Sequence, residues 1–171
     1  MVILIGIIMK ALEWARLSPD YQQKIEQFHG AAPVRIGSIA DALGLKIKAA
    51  TMPPGVSGEI RPSASGYIIR VNRHDSPARQ RFTVAHEVAH FLLHREFIGS
   101  GISDDALYRS NLSDQKEAEA NRLAAELLMP RQLLSVEAQK RSGLPPDEKV
   151  RALAEDFGVS EIAMSIRLGM R

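Results

Sequence analysis

The sequence predicts an α+β fold in which a small β-sheet lies beside a long helix, with further helices around it. Short segments that alternate apolar and polar residues fall between residues 45 and 72, as expected of half-buried strands. Longer segments at residues 75–97 and 113–130 repeat apolar residues with the period of a helix. The chain has 171 residues, which is enough for one domain with its own core.

The first part of the chain, residues 1–32, is predicted to be a helical segment that precedes a main domain over residues 33–171. Residues 10–29 are amphipathic, with a break at Ser18-Pro19, because a serine followed by proline favours the start of a helix. The apolar opening "MVILIGIIM" is too short for a membrane span of ~20 residues. It also lacks the leading positive charge of a signal peptide. Nothing after Met9 needs what precedes it, so we favour Met9 as the start and expect residues 1–8 not to be native.

The elements of the main domain follow from local patterns. Residues 33–47 predict a short helix that ends near Gly44, and "LKIKAATM" then predicts a strand. The segments "SGEIRPS" and "SGYIIRVN" predict two more strands. Ser76 suits the N-cap of the long helix and Pro77 its first position. A loop is expected over residues 95–113.

The C-terminal half is predicted to be helical. The helix within residues 113–130 stops at Pro130. After a turn at "RSGLPPDEKV", two short helices are expected on either side of Gly158.

Composition limits the classes of function. The absence of cysteine excludes a disulfide framework and a thiolate metal site. It is also typical of a reducing compartment, so we expect a cytoplasmic protein. The net charge is +2, from 22 basic and 20 acidic residues, which is too small to indicate a nucleic-acid partner. No membrane partner is expected.

The segment "FTVAHEVAHFLLH", Phe82 to His94, carries the clearest chemical signal. His86 and His90 are four residues apart, so on a helix both lie on one face and can bind one metal ion, most often zinc. Glu87 follows His86 and points about 100° around the helix. It is placed to accept a proton from a metal-activated water and return it to a leaving amine. The pattern H-E-x-x-H thus combines two ligands with a base, although an ordinary buried helix is the alternative.

A catalytic zinc usually needs a third protein ligand, and one straight helix cannot supply it. The second long helix offers Glu117, Glu119 and Glu126. Glu119 and Glu126 are also at helical spacing from Arg122 and can form ion pairs with it.

Glu117 and Asn121 are one turn apart on one face of this helix. That spacing allows a ligand carboxylate beside an amide oxygen that holds a histidine N–H. As an alternative, Asp114 and Glu117 fit a capping box. The residues alone leave both roles open.

Two longer motifs, "RQRFTVAHEVAHFLLH" at 79–94 and "EAEANRLAAELLMP" at 117–130, resemble the ImmA/IrrE-type metallo-endopeptidases. The segments "GVSGEI", "YIIRVN" and "LAEDFGVSEIAMSIRLG" also match the layout of that family, so the resemblance covers residues 33–168. One departure is Leu123, at a packing position where the family usually has phenylalanine.

The resemblance implies a compact zincin-like domain with a small sheet beside the active-site helix. It implies Zn²⁺ held by His86, His90 and Glu117, with Glu87 as the base. Asn121 is the best candidate for orienting a ligand histidine. The resemblance further implies a protein substrate in gene regulation, typically a helix-turn-helix repressor, in mobile-element or stress control.

Two other functions are kept as alternatives. "VRALAEDFGVSEIAMSIRLG" has the spacing of a helix-turn-helix, but its reading helix, Ser160 to Leu168, contains one basic residue, Arg167. DNA readers usually need several, so direct nucleic-acid binding is not favoured. A zinc-stabilised sensor that binds a repressor without cutting it is the second alternative.

Four residues are weaker candidates near the site. His74, Tyr108 and Arg109 lie in predicted loops, where each could stabilise an oxyanion. His94 is expected near the end of the long helix, as a cap or as a partner of a ligand histidine.

Overall fold

The computed structural model describes residues 12–100, 102–103 and 114–170. Within these residues the chain forms seven α-helices and a small mixed β-sheet, which confirms the predicted α+β class. None of the helices in these described ranges is both long enough and apolar enough to cross a membrane. The expectation for residues 1–8 lies outside the described residues.

The N-terminal part is interrupted where its serine and proline indicate. A 3₁₀ turn at Leu12–Arg16 is followed by helix α1, Pro19–Glu26. The Ser18 hydroxyl caps α1 by accepting the Tyr21 backbone N–H at 3.3 Å. Helix α2, Ile36–Ala42, then leads through Gly44, whose positive φ of 76° suits a residue without a Cβ.

The sheet consists of β1 (Leu45–Ala50), β2 (Gly58–Ser63), β3 (Gly66–Asn72) and the short β4 (Ile102–Ser103), in the order β1-β3-β2-β4. Strand β1 is parallel to β3, whereas β2 is antiparallel to both β3 and β4. The first three strands were predicted. Strand β4 and the 3₁₀ turn at Arg95–Ser100 lie where we expected only a loop.

Helix α3, Pro77–Leu93, is the long helix that the sequence predicts, and its centre is buried. The Ser76 hydroxyl caps it by accepting the Arg79 N–H at 3.3 Å. Strand β2 approaches α3 at Gly58, where an added Cβ would lie 2.4 Å from the Thr83 methyl carbon and 2.7 Å from the Arg70 carbonyl oxygen. Only glycine therefore allows this close contact, one turn before the histidine motif.

Helix α4, Asp114–Leu128, packs beside α3. His86 contacts Asn121 and His90 contacts Glu117, so residue numbers rise along one helix as they fall along the other and the pair is antiparallel. Four alanines at i, i+4 spacing are fully buried in the core, two on each helix: Ala85, Ala89, Ala120 and Ala124. Their small side chains allow the two helices to approach closely.

Three shorter helices complete the C-terminal part: α5 (Arg131–Lys140), α6 (Pro146–Phe157) and α7 (Glu161–Leu168). Helix α5 was not predicted. The others flank Gly158 as expected, and its φ of 62° ends α6. The Arg81 side chain of α3 donates to the carbonyls of Val34, Phe157 and Gly158 at 2.9–3.2 Å. This arginine therefore ties α3 to the C-terminal helices.

Candidate metal centre

Three potential ligands from α3 and α4 converge in the structure. One ligand atom each from His86, His90 and Glu117 lies within 4.8 Å of the other two. The two imidazole Nε2 atoms are 2.9 Å apart. The Glu117 carboxylate oxygens lie 3.3 Å from each of these nitrogens. Residues 31 positions apart in sequence therefore form one compact polar group.

This group fits a metal ion in both chemistry and size. Two imidazole nitrogens and one carboxylate form a donor set that is used by catalytic zinc sites. Around a tetrahedral ion with bonds of ~2.0–2.1 Å, neighbouring ligand atoms are about 3.3 Å apart, close to the separations that the three side chains already have. Both histidines are buried, at 7% and 1% exposure, so a shared ion would compensate for much of their lost hydration.

Asn121 orients the His86 ring. Its side-chain oxygen lies 3.0 Å from His86 Nδ1, and an amide oxygen can only accept a hydrogen bond. The His86 Nδ1 atom therefore carries the proton, which leaves the Nε2 lone pair directed towards His90 and Glu117. The sequence suggested this contact for Asn121, and its role beside a bound metal ion stays a prediction.

His90 is held by a longer chain of side chains. Its Nδ1 lies 3.0 Å from Nδ1 of His94, and His94 Nε2 lies 3.2 Å from the Glu119 carboxylate. Glu119 also accepts hydrogen bonds from Arg16 at 2.7 Å and from Gln115 at 3.0 Å. His94 is the C-cap residue of α3, as expected, but its connection to Glu119 and Arg16 could not be predicted from helical spacing.

Electrostatics keep both glutamates of this region ionised. Contacts with the His86 and His90 imidazoles hold the pKa of Glu117 far below its usual range, against the opposing effect of burial. Hydrogen bonds from Arg16 and His94 lower the pKa of Glu119 to about 2. Burial lowers the pKa of His94, which favours its neutral form at pH 7. Anionic Glu117 beside two imidazoles is the charge state in which these residues bind a cation.

Glu87 lies between the two histidines on α3 and is 1% exposed. A carboxyl group is costly to bury away from water unless it has partners or a function. Glu87 therefore follows His86 directly in sequence and is buried in the same helix.

The other glutamates considered as third ligands belong to different networks. Glu119 pairs with His94 and Arg16 rather than with Arg122, which instead binds Glu13 through two hydrogen bonds of 2.6 and 2.8 Å. Glu126, which was expected to pair with Arg122, contacts Arg131 and Arg167. Both partners come from beyond Pro130, so these pairs depend on tertiary contacts that helical spacing does not encode.

A solvent-accessible cavity of about 420 Å³ opens beside His86 and Glu117. Its other lining residues include Arg79, Phe82 and Asn121. The metal-binding group is therefore reachable from outside on this side, even though His90 is almost fully buried.

A larger groove of about 960 Å³ adjoins this cavity and shares Arg79, Phe82 and Asn121 with it. We call it the apolar groove. Its walls carry eight aliphatic or thioether side chains: Leu12, Ala78, Ala125, Met129, Val159, Ile162, Ala163 and Ile166. Leu12, Ile162 and Ile166 are 79%, 75% and 72% exposed, which is unusual for large apolar residues that lie close together.

His74, the oxyanion candidate within the described residues, is not brought to the group. His74 is exposed and does not line either of these two cavities. Tyr108 and Arg109 lie outside the described residues.

Comparison with known proteins identifies a family and a similar fold. The model of the IrrE N-terminal-like domain, a peptidase family, matches residues 40–169. A solved structure of a Mycobacterium tuberculosis transcriptional regulator superposes with a TM-score of 0.55 at 17% identity, covering 99% of this chain and 52% of that one. The chain thus spans about half the length of that regulator. No curated protein matches the sequence.

We expect the wild-type protein to retain about one metal ion per chain, and His90→Ala and Glu117→Ala each to retain less than ~0.1 after dialysis, because two ligands hold a divalent ion poorly. Elemental mass spectrometry measures this directly. Glu96→Ala, at an exposed carboxylate just after α3, is the matched control and should bind like the wild type. Metal retention by Glu117→Ala would contradict its assignment as a ligand.

Proposed function

The chain belongs to the IrrE N-terminal-like domain family, and we propose that it is a zinc-dependent endopeptidase that cuts a regulatory protein. The observation that carries this proposal is the convergence of His86, His90 and Glu117 beside an accessible cavity. The family's description as a peptidase supports hydrolysis as the reaction.

In this proposal His86, His90 and Glu117 hold the zinc ion and Glu87 is the base. A zinc ion bound there would supply Lewis acidity, which lowers the pKa of a water molecule to ~7. Glu87 accepts the proton that this water loses and then delivers it to the amine that leaves the cut peptide bond. Asn121 keeps the His86 ring in the orientation that the ligand role requires.

The apolar groove favours a polypeptide substrate over a small molecule. It is continuous with the cavity beside His86 through Arg79, Phe82 and Asn121, so one chain could occupy both. Apolar side chains of the substrate would pack on Ile162 and Ile166, which lie one turn apart on the same face of α7. This docking would position the bond to be cut near Glu87.

The regulatory nature of the substrate, such as a helix-turn-helix repressor, follows from the family and not from the geometry. The similar solved structure is itself described as a transcriptional regulator, which is consistent with a role in gene control. We also propose a cytoplasmic location, because a repressor substrate would be found in the cytoplasm and the chain has no cysteine.

The structure does not favour the DNA-binding alternative. The side chain of Arg167, the basic residue of the supposed reading helix, is 7% exposed and binds Glu126 and the Met129 carbonyl. It is therefore not available for a phosphate. The exposed face of α7 instead presents Ile162 and Ile166, which suit a protein surface better than a DNA backbone.

Replacing Glu87 by glutamine should lower the rate of peptide-bond hydrolysis by ~10²–10⁴-fold, the usual contribution of a general base, while metal content stays unchanged. The zinc-loaded wild type and Glu87→Gln would each be incubated with lysate, and new protein N-termini would be labelled and sequenced. Glu96→Gln is the control and should cut like the wild type.

New N-termini in the wild-type sample alone would support the endopeptidase and identify its substrate. Equal N-termini in both samples would contradict the role of Glu87. A regulatory effect in cells that Glu87→Gln retains in full would favour the zinc-stabilised sensor that does not cut.

We also expect Ile166→Asp to lower kcat/KM for the identified substrate by about 10–100-fold, because a buried charge would replace an apolar contact in the groove. Zinc content should not change, since Ile166 does not belong to the ligand group. Val136→Asp, at a 52% exposed valine of α5 outside the groove lining, is the matched control. Equal kcat/KM for Ile166→Asp and the wild type would exclude the groove from substrate binding.

A further inference from the structure

We propose that Arg16, Glu119 and His94 form a hydrogen-bonded chain that holds His90 in the tautomer able to bind a metal. This inference rests on the proposed metal-binding role of His90, and it assigns a function to three residues that touch no substrate. It also makes the N-terminal 3₁₀ turn, which precedes the family match at residues 40–169, a part of the metal centre.

The donor and acceptor roles are defined at the Arg16 end of this hydrogen-bonded chain. Glu119 accepts a hydrogen bond from the Arg16 guanidinium at 2.7 Å and forms an ion pair with it. Gln115 donates to the other carboxylate oxygen at 3.0 Å. An ionised carboxylate can only accept hydrogen bonds. The contact of 3.2 Å between Glu119 and His94 Nε2 therefore requires the proton to be on the histidine.

The remaining donor and acceptor roles follow from this proton. A neutral imidazole with its proton on Nε2 has a lone pair on Nδ1. His94 Nδ1 thus accepts across the 3.0 Å contact to His90 Nδ1, and His90 must carry its proton on Nδ1. The His90 Nε2 lone pair is then directed to the side where His86 Nε2 and Glu117 lie.

Burial makes this order strict once a metal ion occupies the His90 Nε2 lone pair. His90 and His94 are 1% and 2% exposed, and Glu119 is 9% exposed. In such surroundings an unpaired donor or a contact between two lone pairs costs about 1–3 kcal/mol or more. A reversed His94 would point its Nδ1–H at the Nδ1–H of a metal-bound His90 and would turn its Nε2 lone pair towards the Glu119 carboxylate.

The two ligand histidines are consequently oriented in different ways. His86 is fixed directly by the Asn121 amide oxygen, which lies on the same helix as Glu117. The Glu119 carboxylate acts on His90 through a second histidine, and a residue from the N-terminal segment anchors that carboxylate. Loss of Arg16 should therefore affect the metal site from a distance.

A second ion pair between the same two elements provides an internal control. Glu13, in the same 3₁₀ turn as Arg16, binds Arg122 of α4 through hydrogen bonds of 2.6 and 2.8 Å. Removing it loosens the N-terminal segment in the same way but leaves Glu119 and His94 untouched. Comparing Glu13→Gln with Arg16→Gln therefore separates the loss of N-terminal anchoring from the loss of the hydrogen-bonded chain.

The tautomers can be read in the zinc-loaded protein by ¹⁵N NMR of labelled histidines. We expect His90 to be protonated on Nδ1 and His94 on Nε2. A proton on Nδ1 of His94, or zinc bound through Nδ1 of His90, would overturn the inference.

Zinc affinity, measured by competition with a chromophoric chelator, tests the consequence. His94→Leu removes the acceptor for His90 and should weaken zinc binding by ~10–100-fold. His94→Asn places an amide oxygen near the former Nδ1 and should recover most of that loss. Arg16→Gln should weaken binding by on the order of 3–10-fold, whereas Glu13→Gln should stay within about 2-fold of the wild type.

The outcomes distinguish a failure of the proposed function from a failure of the hydrogen-bonded chain. A wild-type protein that binds no zinc contradicts the proposed function. Tight wild-type binding that is unchanged in Arg16→Gln and His94→Leu contradicts the present inference alone. Equal losses in Arg16→Gln and Glu13→Gln would also overturn it, because both would then act through anchoring. Thermal unfolding of each variant shows whether His94→Leu is folded, and Arg16→Gln tests the chain if it is not.

Discussion

Two buried imidazoles and a half-buried carboxylate lie between two helices and need polar partners, and this requirement shapes the centre of the molecule. Helices α3 and α4 must approach closely, which the buried alanines at positions 85, 89, 120 and 124 allow. Strand β2 must also come near α3, which Gly58 permits. The hydrogen bonds of Asn121 and His94 then direct both Nε2 lone pairs towards Glu117. A divalent cation completes the set of partners.

Residues of the N-terminal segment and of the C-terminal helices contact the elements that surround this group. Arg16 reaches it from the N-terminal 3₁₀ turn through Glu119, and Trp14 and Leu17 of the same region are buried in the common core. At the other end, Arg81 of α3 binds carbonyls at the end of α6, and α7 forms a wall of the apolar groove. Helices α3 and α4 therefore contribute side chains to both the metal-binding group and the apolar groove.

Local patterns predicted most of the fold and the centre of the site. Ser76-Pro77 indicated where α3 begins, and Pro130 indicated where α4 ends. The spacing of His86 and His90 indicated that they share a face. The partners of Glu119 and Glu126 were not predictable, because Arg16 and Arg167 lie 103 and 41 residues away from them. Helix α5 was missed because it follows Pro130 directly and buries only Leu134 and Ala138, so its apolar signal is weak.

The central claim is that one zinc ion sits between α3 and α4. An anomalous difference map, collected at the zinc absorption edge from crystals of the zinc-loaded protein, tests it most directly. We expect one strong peak ~2.0–2.2 Å from His86 Nε2, from His90 Nε2 and from a Glu117 oxygen, with Glu87 outside the ligand set. A peak bound to other residues, or none at this position in crystals that contain zinc, would contradict the claim.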